Sequence, residues 1–290
     1  MQQSGPETVR PDGTGREGSA KGLEPLIELS DVTVRYGAGP GSVLAVDKFS
    51  LAIPQRCFLS IIGPSGCGKS SVLNLIAGYH KPSSGTVRMN GTEIVGPGPE
   101  RMVVHQQSTA LLPWFSAARN VALALTARGQ PKAAAREGAR HYLNMVGLAG
   151  FDDHPIYQLS GGMRQRLALA RALATEAKVI LLDEPLGAID ALQRAVLQDL
   201  LIRLWDETHT CFVMITHSVE EAVYVSTDVI SMSARPGRII RHQKFDFNRS
   251  ALAGADSHVR ASPEFAKAEE ELYETLTAAS SGKTAPSEGD

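Results

Sequence analysis

The sequence predicts an α/β fold organised around a mainly parallel sheet, with a small antiparallel sheet at its N-terminal end and an inserted helical lobe. Short apolar runs suited to strands buried on both faces recur at Phe58–Ile62, at Val103 and Val104, at residues 179–182 and at residues 212–215. Helical periodicity fills several of the intervals between them, and strands alternating with helices form parallel sheets because each crossover lays a helix on a sheet face. Hydrophobic residues make up 43% of the 290-residue chain and charged residues 21%, so it can bury a core, and neither global disorder nor a fibrous repeat fits.

The elements follow in order. Residues 1–22 hold five Gly, two Pro and six charged residues, with Val9 the only branched aliphatic. Such a stretch cannot bury enough surface to offset ordering entropy, so a disordered tail is expected. It lacks the apolar stretch of a signal peptide, which disfavours export. Residues 26–34 and Val43–Ile53 read as strands around the loop 37–42, giving the antiparallel sheet. Ser70 to Ala77, closed by Gly78, reads as a helix with a glycine cap. Residues 107–160 contain no convincing strand and several helical stretches, one of them at 131–146 ended by Gly147, so a helical lobe is expected over about 107–165. A further helix should carry Leu192, Val196, Leu200 and Leu204 on one face. Ser262-Pro263 followed by Phe265, Leu272 and Leu276 reads as a capped amphipathic helix near the C-terminus, within a segment 246–290 whose last ten residues should fray.

Formal net charge is −2, so no bulk basic field favours nucleic acid as a partner. Cys57, Cys67 and Cys211 are too few and scattered for a disulfide framework or a zinc cage, which suggests a reducing compartment. No window approaches the ~18 consecutive apolar residues of a membrane span. Membrane contact must therefore run through a partner.

The octet Gly63, Pro64, Ser65, Gly66, Cys67, Gly68, Lys69 and Ser70 fits G-x-x-x-x-G-K-[ST], directly after an apolar strand and directly before a helix. Glycines let the backbone wrap closely enough for its N–H groups to face phosphate oxygens, and the helix N-terminus adds positive potential there. Lys69 would reach the β- and γ-phosphates, the Ser70 hydroxyl would ligand Mg²⁺, and Ser71 completes the binding set. Cys67 is expected to be open to alkylation and protected by ATP. By itself the loop says only nucleotide phosphate, leaving kinases, GTPases and motors open. Residues 179–182 then lead into Asp183 and Glu184, two acids at the end of a buried strand, where ligands of α/β folds bind. Asp183 would hold Mg²⁺ and Glu184 would orient or deprotonate the attacking water. The plain alternative is a solvated pair of strand-end acids.

Leu159-Ser160-Gly161-Gly162-Met163-Arg164-Gln165-Arg166 opens a helix running to about Ala174, with Ser160 as a plausible N-cap. A serine hydroxyl, two glycine amides and a helix start make a second anion site. LSGG followed by Q-R, about 20 residues before the acidic strand, resembles the signature of ABC-type ATPases. The resemblance covers roughly residues 25–245. It implies a P-loop NTPase (RecA-like) core with the antiparallel and helical subdomains attached. It also implies that Asp190 is the D-loop aspartate bridging two cassettes, that His217 is the switch histidine on the γ-phosphate, and that Tyr36 stacks on adenine. Their plain alternatives are a helix N-cap, a strand-end histidine and a sheet-surface aromatic. Counting from the preceding strand, the family's Q-loop glutamine, which reaches metal and γ-phosphate, falls at Gln106; counting back from Leu111-Leu112-Pro113-Trp114 it falls at Gln107, and the strand register favours Gln106. His105 stands where the family usually has phenylalanine.

Gly96-Pro97-Gly98-Pro99-Glu100-Arg101, the Leu111-to-Trp114 patch and Ala234-Arg235-Pro236-Gly237-Arg238-Ile239 are similar to ATPase subunits of importers for nitrate, sulfonate, taurine and related solutes. The resemblance implies a homodimer gripping two ATP molecules with Mg²⁺, each site completed by Ser160, Gly161 and Gly162 of the other copy. It further implies permease subunits docking near Leu111 and Trp114, an indirect periplasmic or extracellular solute-binding protein, and a peripheral place on the cytoplasmic face of the cell membrane. The patch at Leu111 to Trp114 has lobe core as its plain alternative. Two rivals differ in function: a soluble ABC-type ATPase of DNA repair or translation, disfavoured by the ordinary spacing from Lys69 to Asp183, and a non-hydrolysing regulatory subunit, disfavoured by intact Lys69, Asp183, Glu184 and His217.

Overall fold

The computed structural model describes residues 24–105, 110–187 and 189–280. Strands β1 (Ile27–Tyr36) and β2 (Val43–Ile53) pair antiparallel, with Ile27 opposite Ile53 and Tyr36 opposite Val43. The other edge of β1 takes β4 (Ser84–Met89), which pairs with β5 (Thr92–Glu93), giving the order β2-β1-β4-β5. The expectation of two strands here is therefore two short. The missed hairpin turns at Asn90-Gly91, both at positive φ (47° and 75°), the dipeptide that a two-residue turn of this hand demands.

The second sheet has the order β10-β9-β3-β8-β7-β6. The four apolar runs are β3 (Phe58–Ile62), β6 (Arg101–His105), β7 (Val179–Asp183) and β8 (Cys211–Ile215), all mutually parallel where they pair. Strand β9 (Asp228–Met232) extends the parallel set and β10 (Ile239–Lys244) closes the edge antiparallel. β9 escapes an apolar scan because Asp228 and Ser231 interrupt it. Asp228 is tolerated at that depth because Thr227 Oγ1 donates to its Oδ2 at 2.9 Å and His242 Nε2 lies 2.8 Å from its Oδ1.

Alternation along the parallel strands divides the core between two layers. Phe58, Ile62, Ile180, Leu182, Phe212 and Met214 face a helical layer, while Leu59, Ile61, Val179, Leu181, Val213 and Ile215 face α1 (Lys69–Ala77) and the antiparallel sheet. The helical layer includes α2 (Ala117–Ala127), α3 (Lys132–Met145) and α4 (Gly161–Leu173), with α5 (Ala191–Thr208) and α6 (Val219–Val225) beside them.

The stripe expected on α5 is only half buried: Leu200 and Leu204 are in the core, while Leu192 and Val196 are exposed. Steps of four residues drift about 40° each around a 3.6-residue helix, so the stripe rotates about 120° between Leu192 and Leu204. Leu197, Leu201 and Trp205 supply the rest of the buried face. Short helices α7 (Phe247–Ser250) and α8 (Asp256–Val259) lead to α9 (Pro263–Ser280), which Ser262 caps by accepting from Phe265 N at 3.2 Å. Phe265 packs on Tyr224 and Phe247, and the Arg260 guanidinium lies 3.7 Å over the Tyr224 ring. The expected tails, 1–22 and the last ten residues, lie outside the described residues. Among the described residues no helix is long and apolar enough to cross a membrane.

Candidate nucleotide site

The octet after β3 folds into a tight loop that runs into the first two residues of α1. Gly63 has no room for a side chain, since a Cβ there would lie 2.9 Å from Cys67 Sγ and 3.0 Å from the Met232 carbonyl oxygen. Gly68 caps α1 at φ 108°, and no side chain occupies the cap, so the N–H groups of the first turn are left to an external anion. Lys69 is nearly buried, and its Nζ donates to the carbonyls of Gly63 at 2.8 Å and Pro64 at 3.1 Å. An uncapped helix start with an ammonium beside it fits a polyphosphate.

Cys67 does not sit as expected. It is 1% exposed, packed among the β-side core residues, and burial pushes its thiol above the usual range against the pull of Lys69. The expected alkylation is overturned: the sulfur faces inward and only the Cys67 backbone belongs to the loop.

β7 delivers Asp183 and Glu184 to the same sheet edge. Glu184 takes φ 46°, the left-handed region, and is fixed there by its N–H donating to the Ile215 carbonyl at 3.1 Å. His217, just past β8, brings Nδ1 to 3.6 Å from Glu184 Oε2. His105 Nδ1 lies 3.7 Å from Asp183 Oδ2, so the residue replacing the usual phenylalanine stands against this acid. The Tyr36 hydroxyl is 3.0 Å from the Ser71 hydroxyl, tying β1 to α1.

One cavity of about 480 Å³ is lined by Tyr36, Ser65, Gly66, Gly68, Lys69, Ser70, Ser71, Glu184 and His217 among the predicted residues, while Gly63, Pro64, Cys67 and Asp183 are not part of its lining. A larger open groove, about 630 Å³ and lined by His141, Tyr142, Glu176, Lys178 and His209 among others, contains none of them. Chemistry, not size, selects the smaller one.

Residues 46–187 match the family described as ABC transporter. The taurine import ATP-binding protein TauB of Burkholderia thailandensis is 43% identical over 246 residues, 84% of this chain and 94% of that protein. TauB of Pseudomonas aeruginosa is 46% identical over 226 residues, 78% of this chain and 86% of that protein. The chain belongs to the ABC transporter family. The ATP-binding cassette MJ0796, solved as a dimer in a post-hydrolysis state with ADP and phosphate, is similar at TM-score 0.67 and 31% identity, covering 76% of this chain and 99% of that chain. Cassette cbiO1 of Clostridium perfringens shares the fold at TM-score 0.71 and 21% identity, covering 87% of this chain and 100% of that chain. The chain is accordingly an ATP-binding cassette that hydrolyses ATP in the service of transport.

The remaining predicted residues of the cassette stand apart from the cavity. Ser160 caps α4, its hydroxyl accepting from Met163 N at 3.2 Å, and none of Ser160, Gly161, Gly162 or Asp190 lines the cavity. Asp190 caps α5 by accepting from Gln193 N at 3.0 Å, so its plain alternative is realised in the geometry. A Cβ on Gly162 would lie 3.2 Å from Gln193 Oε1, so the starts of α4 and α5 adjoin. Gln106, and its alternative Gln107, lie outside the described residues. The apolar patch divides: Leu111 is 4% exposed and belongs to the lobe core, whereas Trp114 is 70% exposed.

Two groups were missed from sequence. Arg235 lines the cavity and donates from Nε and Nη2 to the Gly66 carbonyl. Glu221 is buried between the loop that carries His217 and the loop that carries Asp190: Thr216 Oγ1 donates to it at 2.7 Å, and Arg194 Nε lies 3.6 Å away while Arg194 Nη2 donates to the Ile189 carbonyl at 3.2 Å. Burial pushes the Glu221 carboxyl up, against the opposing pull of Thr216 and Arg194. A polar residue four positions after His217 and a cation four after Asp190 were the available signals.

Proposed function

We propose that the chain is the ATPase subunit of an importer for taurine or a related small sulfonate, working as a homodimer in which two ATP molecules are each gripped from both sides. The observation that carries the dimer is the partition of phosphate-binding groups: Lys69, Ser70, Glu184 and His217 share one cavity from which Ser160, Gly161 and Gly162 are absent. One copy therefore offers half a site, and the second helix start must serve another copy.

In this reading the loop Gly63 to Ser71 wraps the phosphates, Lys69 leaves its carbonyl partners for the β- and γ-phosphates, and Tyr36 stacks on adenine. Ser70, Asp183 and Gln106 would supply the hard oxygen donors that suit Mg²⁺. Bound there, Mg²⁺ neutralises charge on the phosphates. Glu184 accepts the proton of the water that attacks the γ-phosphorus, and His217 orients that water and the γ-phosphate. Ser160, Gly161 and Gly162 of the opposite copy face the γ-phosphate, with Asp190 bridging the copies. ATP closes the dimer, hydrolysis opens it, and Gln106 passes the change to the helical lobe.

Trp114, exposed beside Phe115 and Arg119, marks where permease subunits dock at the cytoplasmic face of the membrane. The likeness to TauB proteins, which serve taurine import, supports the solute class. Proteoliposomes carrying the chain with its permease and binding protein test the proposal. ATP-dependent taurine uptake that Lys69→Ala abolishes is expected; uptake indifferent to that substitution refutes it.

A further inference from the structure

The connection between β9 and β10 folds back over the phosphate loop, and we propose that Arg235 at its tip is a positioning residue that holds the loop in its phosphate-binding shape. The proposal rests on the nucleotide site described above. Two donors of one guanidinium converge on one carbonyl, Nε at 3.2 Å and Nη2 at 3.1 Å from the Gly66 oxygen. Gly66 is at φ 72°, so this carbonyl belongs to the turn where the loop reverses. Lys69 holds the Gly63 and Pro64 carbonyls of the same loop. When ATP draws Lys69 onto the phosphates those two bonds are given up, and Arg235 is left as a side-chain restraint on the turn.

The tip is built to stay in place. Gly237 N donates to the Ala45 carbonyl at 2.8 Å and Asp47 N donates to the Gly237 carbonyl at 3.0 Å, which fastens the connection to β2. Gly237 also lies flat against the loop, since a Cβ there would be 2.1 Å from the Cys67 oxygen. Ser233 Oγ accepts from Arg238 N at 3.0 Å and donates to the Pro236 carbonyl at 2.9 Å, and Arg238 Nε donates to Asp47 Oδ2 at 3.1 Å. Among the described residues no carboxylate pairs with Arg235, so its charge is uncompensated at the wall of an anion site. Two convergent donors in a fixed fork are a property of arginine that lysine lacks.

The test is equilibrium binding of ATP and ADP to the purified full chain, with Lys69→Ala as the control that loses both. Arg235→Ala is expected to raise both dissociation constants about five- to tenfold, the loss of a charge-assisted hydrogen bond at an exposed site. The factor should be similar for the two nucleotides because they share the loop, and Arg235→Lys should recover only part of the loss. Unchanged affinity in Arg235→Ala, a loss confined to ATP, or full recovery by lysine would each overturn the proposal. Absence of ATP binding by the wild-type chain would instead refute the nucleotide site itself.

Discussion

The chemical role proposed for Glu184 comes with a conformational cost, and substitutions separate the two. Its φ of 46° places a side chain in the left-handed region, where a non-glycine residue is disfavoured by roughly 1–2 kcal/mol. Glycine there removes that cost but adds about 0.5–1 kcal/mol of unfolded-state entropy, leaving a net gain of up to about 1.5 kcal/mol. For a chain of this size that raises the melting temperature by up to about 3 °C. Glutamine keeps the backbone state and the N–H bond to Ile215 while removing the proton acceptor. General-base catalysis is worth about 10²–10⁴-fold, so ATPase activity should fall by that factor, equivalent to about 3–5 kcal/mol of barrier. Thus Glu184→Gly should be inactive and more stable, whereas Glu184→Gln should be inactive, equally stable, and should accumulate an ATP-bound dimer. Phosphate release, differential scanning calorimetry and size-exclusion chromatography with ATP read the three quantities. Turnover by Glu184→Gln within threefold of wild type would refute the base assignment, and a Glu184→Gly protein less stable than wild type would refute the strain argument.

A mixture of Ser160→Arg and Lys69→Ala proteins can form one intact composite site across the dimer, so it should yield a nucleotide-trapped dimer that neither variant gives alone; sedimentation showing none would sink the two-sided site. Native Cys67 should resist iodoacetamide equally with and without ATP, because its sulfur is buried and its thiol is held protonated; rapid labelling detected by mass spectrometry would contradict its placement. Glu221 has its carboxyl raised by burial. A raised folded-state value favours folding fully only below the unfolded carboxylate range near ~4.3, and that contribution is lost as pH rises through the folded value. Glu221→Gln should therefore gain stability relative to wild type between pH 5 and 7.5, measured as the difference in melting temperature, and a difference that shrinks with rising pH would count against the assignment.

Much of the fold was legible because the parallel strands are buried on both faces and so spell themselves as unbroken apolar runs, as β3, β7 and β8 do. β9 was hidden because its interior accommodates Asp228, and that depends on Thr227 and on His242 from the next strand, a pairing no local scan sees. The hairpin of β4 and β5 was hidden for the opposite reason: its strands are short and half exposed, although Asn90-Gly91 announces the turn. On α5 the error lay in treating a four-residue step as a helical repeat, which buried Leu192 and Val196 on paper and left them exposed in space.

The site divides along a similar line. Phosphate is recognised largely by backbone N–H groups and a helix start, so the recognising residues must be contiguous, and contiguous residues are visible as the octet and as Ser160-Gly161-Gly162. Groups that hold such a loop in place are under no such constraint. Arg235 reaches Gly66 across 169 positions of sequence, and Thr216, Glu221, Arg194 and Ile189 connect two loops from two different helices. Glu221 also shows why burial matters here: a carboxyl whose ionisation burial opposes is better placed as a brace than as a packing element, because replacing it should firm the fold while freeing the loop of Asp190 from the loop of His217. Stability and turnover should consequently move in opposite directions in Glu184→Gly and in Glu221→Gln, the first by relief of backbone strain and the second by relief of desolvation. A substitution that raised both at either position would mean that the strain or the buried charge serves no part of hydrolysis.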